Sequence, residues 1–439
     1  MPHRPLIATI GFLIFALVVW QPRSAPGRAE RPAIRSPIAE ASLLALEREN
    51  GCTGDAREEG QGAWPDWASA TIAGGDVPPA RVVSDPYPTL HSVAVDAEHN
   101  RVFFSDPNRH ALWSYERTAT SKGGDPATPL TSVRGPSTGM MFVAGIAIDP
   151  RARELYSVDN DIGDRMMVFD YDANGNVKPK RVLSVPHQAW GLSINRERDE
   201  IAVSVEGPRE IAIYKREAKG NDQPLRMIRG PKTGLGDPHG VFYDGRNNEI
   251  VVANHGNQNG RQTAPGDAPP RRRGSAAGSA EPLVGGRFDP PSITVYAGDA
   301  KGDVAPIRRI QGAKAGLNWP MGLDVDVEHD EIAIANSGDS SVRIFRRTDA
   351  GDVAPARIIK GAATGIKGPM NLAYDLKNDE LWVANYGDHT ALVFARTASG
   401  NAAPKRIVRN APAGSATVGF GNPGAVAYDS KRDEILVPN

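Results

Sequence analysis

Cysteine is almost missing from this chain. Cys52 is the only one among 439 residues, which excludes an intrachain disulfide framework and any cysteine-based metal knuckle. An excess of one charge is missing too. The 51 Lys and Arg balance 52 Asp and Glu, so no long-range attraction to nucleic acid or to an anionic membrane is implied. There is no G-x-G-x-x-G passing from a strand into a helix, no phosphate loop and no nucleophile motif. Beyond a short Ala/Leu/Glu-rich stretch at 38–49, no amphipathic helical pattern recurs along the chain. The longest apolar run, residues 6–20, is shorter than the roughly twenty residues that span a bilayer.

What is present is a repeat. Residues 302–347 recur almost unchanged as 351–396, opening G-D-V-A-P-I-R-R-I and G-D-V-A-P-A-R-I-I. A third copy opens at Gly400, so Gly302, Gly351 and Gly400 are spaced 49 residues apart. Decayed copies of the opening stand at Gly75, Gly124, Gly175 and Gly220. Only the step from Gly220 to Gly302 is long, and it holds an insertion at 257–292 rich in Gly, Pro, Ala and Arg. A fixed period of this size marks a repeat architecture. Each unit carries four short β-branched or aromatic runs bounded by Gly, Pro, Asn and Asp, which is strand and turn chemistry.

Four strands per unit predict an all-β fold, a β-propeller of four-stranded blades. Innermost strands are expected at 92–95, 145–148, 191–194, 240–243, 322–325, 371–374 and 425–428, which makes seven blades over 66–439. The last unit stops after its second strand. The segment 68–83 supplies two further strands, so the seventh blade is expected to be shared by both termini and to leave no unpaired edge. Upstream, residues 1–30 read as an export segment, either a cleaved signal peptide or an uncleaved membrane anchor. Ser36-Pro37 opens a short helix at 38–49 that leads into a linker reaching residue 65, and Cys52 reads as an unpaired thiol in that linker.

The loop entering each innermost strand and the loop after each second strand share one face, and the G-D-V-A-P turn lies on the other. The first face gathers Asp106, Asn160 with Asp161, Glu206, Asn254 with His255, Asn336, Asn385 with Asp388, and Asn439. At the mouth of the innermost strands stand His91 and His239, in register with Trp190, Met321 and Met370. These positions are candidates for ligand binding. Asn254, Asn336 and Asn385 recur in A-N-x-G, which favours a turn-forming role over a binding one. Asp106, Glu206, His91 and His239 do not recur and are the more informative. A mixed carboxylate, amide and imidazole set suits calcium or magnesium, or with the histidines a transition metal, with Asp106, Glu206 and Asn254 as candidate ligands. The insertion rises from the same face, and its Arg271, Arg272 and Arg273 could meet an anionic partner.

The P-x-G-hydrophobic step (Pro238-His239-Gly240-Val241, Pro320-Met321-Gly322-Leu323), the D-E turn and the strand ending A-N resemble NHL-type propellers and their gluconolactonase-like and streptogramin-lyase-like relatives. The Trp-Asp dipeptide of WD repeats and the paired glycines of kelch blades do not recur. In the gluconolactonase-like relatives, the resemblance implies a channel-bound divalent ion that polarises a lactone carbonyl. In the lyase-like ones it implies a histidine and magnesium that open a cyclic ester by elimination.

Two functions remain open at this point. One is an exported, monomeric binding scaffold that takes a protein, glycan or small-molecule ligand on its loop face. The other is a metal-assisted hydrolase or lyase with His91 or His239 as general base. The test set by the sequence is convergence: the two histidines and the acidic residues must share one centre.

Overall fold

A computed structural model of the chain describes residues 85–160, 162–258, 287–417, 427–429 and 434–436, all within the unit spanning 61–439. The export segment, the short helix, Cys52 and the strands expected at 68–83 lie outside the described residues. Among those residues no helix is long and apolar enough to cross a membrane.

Six four-stranded antiparallel sheets follow one another along the chain, each ordered from its innermost strand outward. The innermost strands of blades 1 to 6 are Val93–Asp96, Val143–Asp149, Ala189–Asn195, Pro238–Asp244, Pro320–Asp326 and Pro369–Asp375. Each folds back through a tight turn whose chemistry repeats. The residue before the second strand takes a positive φ in all six blades, at Asn100, Arg153, Asp199, Asn248, Asp330 and Asp379. Asn and Asp tolerate that conformation best. The acidic or amide residue ending each innermost strand caps the turn: Asp326 Oδ1, for instance, accepts from the backbone N–H of Glu328 at 3.0 Å and of His329 at 2.9 Å. In blades 2, 4, 5 and 6 the Glu that follows is then clamped by an Arg from its own outer strand and another from the next blade. Glu380 accepts from Arg406 through two bonds of 2.7 Å and from Arg117 of blade 1 at 3.1 Å.

The G-D-V-A-P glycines fill the turn role expected of them and add a clasp. Gly175, Gly220, Gly302, Gly351 and Gly400 sit at positive φ between third and outer strands. Each exchanges hydrogen bonds with the outer strand of the blade before it, as Gly351 does with Arg309 at 2.7 Å and with Gln311 at 3.1 Å. The next residue continues the clasp: Asp303 and Asp352 accept from Lys232 N and Lys314 N, both at 2.7 Å.

The ring closes at six, which corrects the seven-bladed expectation. Blade 6 packs directly on blade 1. Trp382, Ala384, Val393 and Val408 share one apolar core with Val93, Phe104, Trp113 and Tyr115. Around that core, Asn371 Nδ2 donates to Ser92 Oγ at 2.9 Å, and Ser121 N donates to the Ile407 carbonyl at 2.8 Å. The strand expected at 425–428 appears as Ala427–Asp429, paired among the described residues with Glu434–Leu436 in a two-stranded sheet. The physical reason is close approach at the axis. A Cβ on Gly145, Gly191 or Gly240 would lie within 2.7 Å of a carbonyl oxygen in the following blade. The innermost strands therefore crowd as a narrow ring requires, and blades 6 and 1 meet at the same level through a side-chain hydrogen bond.

Candidate functional site

The six positions at the mouth of the innermost strands are His91, Ala144, Trp190, His239, Met321 and Met370, in blade order. Blades 5 and 6 place buried methionines there. Blade 2 has only Ala144, and its small side chain leaves room for Trp190 to reach across to blade 1. The Trp190 ring lies 5.0 Å from the His91 ring and 4.6 Å from the His239 ring, edge-on to both. The series continues through His239 to His255 at 4.9 Å and from His255 to Trp319 at 4.9 Å. The two candidate bases therefore stand on either side of one indole. They share a wall of the mouth.

Around His239 the polar groups converge. Its Nδ1 lies 3.0 Å from the Asp237 carbonyl, and its Nε2 lies 3.2 Å from Glu206 Oε1. Asp237 Oδ2 faces His255 Nδ1 at 3.3 Å. Glu206, Asp237 and His239 each present one donor atom, and the three atoms lie within 4.8 Å of one another. Among the described residues this is the only His, Cys, Asp and Glu group of at least three that meets that geometry. Burial pushes the imidazoles of His91 and His239 down to about 4, so both rings are neutral at physiological pH.

The remaining sequence candidates hold the scaffold. Asp106, Asn254, Asn336 and Asn385 each end a second strand and accept from the backbone of the loop entering the innermost strand. Asp106 accepts from Thr89 N at 3.0 Å, Asn254 from Gly236 N at 3.1 Å, Asn336 from Asn318 N at 2.7 Å and Asn385 from Lys367 N at 2.6 Å. Asp106 also accepts from Trp113 Nε1 at 2.8 Å through its other oxygen; burial raises its carboxyl to about 6. Asp159 fills the same place in blade 2, accepting from Met141 N, and burial pushes it up to about 7. Asn160 donates to the Ala189 carbonyl at 3.2 Å. Neither Asp106 nor Asn254 joins the group around His239.

Blade 3 breaks this pattern. Val205 occupies its clasp position, and Glu206, the next residue, turns to the mouth. Three members of the site were missed or left aside by sequence reasoning: Asp237, His255 and Trp319. Asp237 and Trp319 stand just before Pro238 and Pro320, where blade 6 has Gly368. All three residues take positive φ, at 55°, 48° and 52° respectively. Glycine adopts that conformation freely and a bulky indole does not. Aligning the repeats at this position would have exposed the anomaly. Trp319 is also 52% exposed, and no Arg covers it among the described residues. The structural indoles Trp113 and Trp382 are faced by Arg134 and Arg406. The insertion leaves blade 4 directly after His255, through a hairpin pairing Asn257 with Phe288 and Gln258 with Arg287. Residues 259–286 lie outside the described residues.

No family model matches the chain, and no curated protein matches it, so the NHL-type resemblance stands without a family match. Among solved structures it is similar to a chain of the nidogen/laminin complex, at 12% identity and a TM-score of 0.44, over 67% of this chain and 88% of that one. It is also similar to a chain of Kuenenia stuttgartiensis hydrazine synthase, at 13% identity and a TM-score of 0.47, over 84% of this chain and 98% of that one. Such distant likenesses carry no functional argument. The propeller rests on its own six sheets.

Proposed function

We propose that this protein is an exported binding propeller that takes its ligand at the channel mouth, over the arc from blade 3 to blade 5. One observation carries the reading. Trp319 is exposed while its backbone is held in the left-handed region, a conformation that costs a bulky L-residue roughly 1–2 kcal/mol. Strain kept at an exposed aromatic beside a converging polar group points to a ligand surface. Indole faces at Trp190 and Trp319 flank Glu206, Asp237, His239 and His255, so the mouth offers flat apolar contact next to hydrogen-bonding oxygens and nitrogens. That combination suits a small polar molecule with an apolar face, such as a glycan unit. The test is tryptophan-fluorescence titration of the chain against a glycan and metabolite panel. A hit should weaken at least about tenfold in Trp319→Ala. A panel hit unaffected by Trp319→Ala would move the site elsewhere.

The enzyme reading is second. It is favoured by the closeness of His239 to Glu206 and Asp237, and it leaves His91, across Trp190, as the general base. Lactone or cyclic-ester turnover that vanishes in Glu206→Ala would place it first. The export reading rests on the apolar run at 6–20, and fractionation of the expressing cell tests it.

A further inference from the structure

We infer that Glu206, Asp237 and His239 together hold a divalent transition-metal ion of the first row, which deepens and rests on the channel-mouth binding reading. The argument starts from the two nitrogens of His239. Nδ1 lies 3.0 Å from the Asp237 backbone carbonyl, which can only accept, so the Nδ1 proton is fixed there. Nε2 then carries the lone pair, and it is aimed at Glu206 Oε1 only 3.2 Å away. A neutral imidazole nitrogen and a carboxylate oxygen at that separation are donors that one divalent ion can collect, and Asp237 offers the third: one donor atom from each of the three residues lies within 4.8 Å of the others.

An independent observation comes from His255. It is nine-tenths buried, and its Nδ1 stands 3.3 Å from Asp237 Oδ2 without forming a hydrogen bond. This buried nitrogen faces one oxygen of the group's own carboxylate, the place where an outer histidine stands beside a ligating carboxylate. The Nδ1–H of His239 held by a backbone carbonyl is the matching arrangement on the imidazole side.

The chemistry of the donors selects the metal. Calcium takes six to eight oxygens, and magnesium keeps an octahedral, oxygen-rich shell. One imidazole nitrogen with two carboxylates suits zinc, manganese or iron(II) instead, and three protein ligands leave positions open for water or for a bound ligand. Trp190 packs on the ring of His239 and Trp319 on that of His255, so the proposed ligand would meet the ion beside these indoles.

The test uses the full chain, stripped with chelator and dialysed separately against zinc, manganese, cobalt(II), calcium and magnesium. The expected result is one zinc or manganese per chain by elemental analysis, with little calcium or magnesium retained. Cobalt(II) should give visible absorption bands. Glu206→Gln and Asp237→Asn should each weaken uptake at least about tenfold, while Asp106→Asn leaves it unchanged. Circular dichroism confirms that each variant is folded. A folded wild-type chain that takes up no metal would overturn the inference, as would uptake indifferent to Glu206→Gln and Asp237→Asn. Failure here is separable from failure of the binding reading, because metal uptake is measured without ligand and Trp319→Ala should leave it intact.

Discussion

Blades 5 and 6 are near copies, and blades 3 and 4 are not. In blades 5 and 6 the mouth positions are the buried methionines Met321 and Met370, and the clasp positions are Asn336 and Asn385. In blades 3 and 4 the mouth positions are Trp190 and His239, the blade 3 clasp has become Val205, and Glu206 and His255 follow the two second strands. Where the repeat is kept, the residues answer to packing and turn chemistry. Where it is broken with no packing reason, polar groups converge. Departure from the repeat, rather than polarity as such, locates the site.

Four substitutions would break or sharpen that comparison, and the largest effect is expected in the regular half. Trp382 is fully buried in the core shared by blades 6 and 1. Trp382→Ala should cost about 3–5 kcal/mol in urea unfolding while any metal uptake by the folded fraction persists. A much smaller loss would mean that blade 6 does not close the ring on blade 1.

Next is the clamp at Glu380. Its arginine bonds, set against burial that works the other way, hold its carboxyl down at about 2. Because the folded value lies below the unfolded one, the stabilisation is present above the usual glutamate range and is lost as pH falls toward 2. Glu380→Gln should cost roughly 2 kcal/mol at pH 7, and the deficit should shrink on acidification. An equal deficit at pH 3 and pH 7 would refute the linkage.

Asp159 has the opposite sign. Its carboxyl is raised to about 7 by burial, so the folded state favours the protonated acid. Stability is highest below the ordinary aspartate range and falls as pH rises through 7. Asn does the same clasping work in blades 4, 5 and 6. Asp159→Asn should therefore stabilise the chain at pH 8 by about 1 kcal/mol and have little effect at pH 4. A destabilised variant at pH 8 would show that the charge is used.

The smallest effect is the most telling for function. Trp319→Gly gives blade 5 the residue that blade 6 has at Gly368. It should raise stability by roughly 0.5–1 kcal/mol, the left-handed strain relieved being partly offset by glycine's entropy. The same change should abolish ligand binding. Stabilisation with binding intact would leave Trp319 a neutral surface residue.

Much of the fold was legible. Strand chemistry, four strands per unit, the assignment of loops to two faces and the turn role of the G-D-V-A-P glycines all follow from local pattern. The turn reading of Asn254, Asn336 and Asn385 also follows, because Asn after a strand bonds nearby backbone wherever it occurs. The site was legible only in part. Glu206 and His239 stood out, with His91 and Asp106, as positions that the repeat did not demand, and Trp190 was placed in register with the two histidines. Asp106 looked equivalent to Glu206 in sequence, yet its carboxylate turns back to Thr89 and Trp113. Asp237 and Trp319 were hidden because a left-handed backbone position leaves no mark in one unit. It emerges only when Gly368 is set against its counterparts.

The sequence by itself determined the blade: its strands, its turns and the period at which they return, all set by interactions a few residues apart. Only the tertiary structure decided how many blades close the ring and which side chains share the mouth. Blade number depends on how tightly the innermost strands crowd at the axis and on which blade core accepts Trp382. Convergence of Glu206, Asp237 and His239 depends on the seam between blades 3 and 4. Both are contacts between distant parts of the chain, and a local pattern carries no record of them.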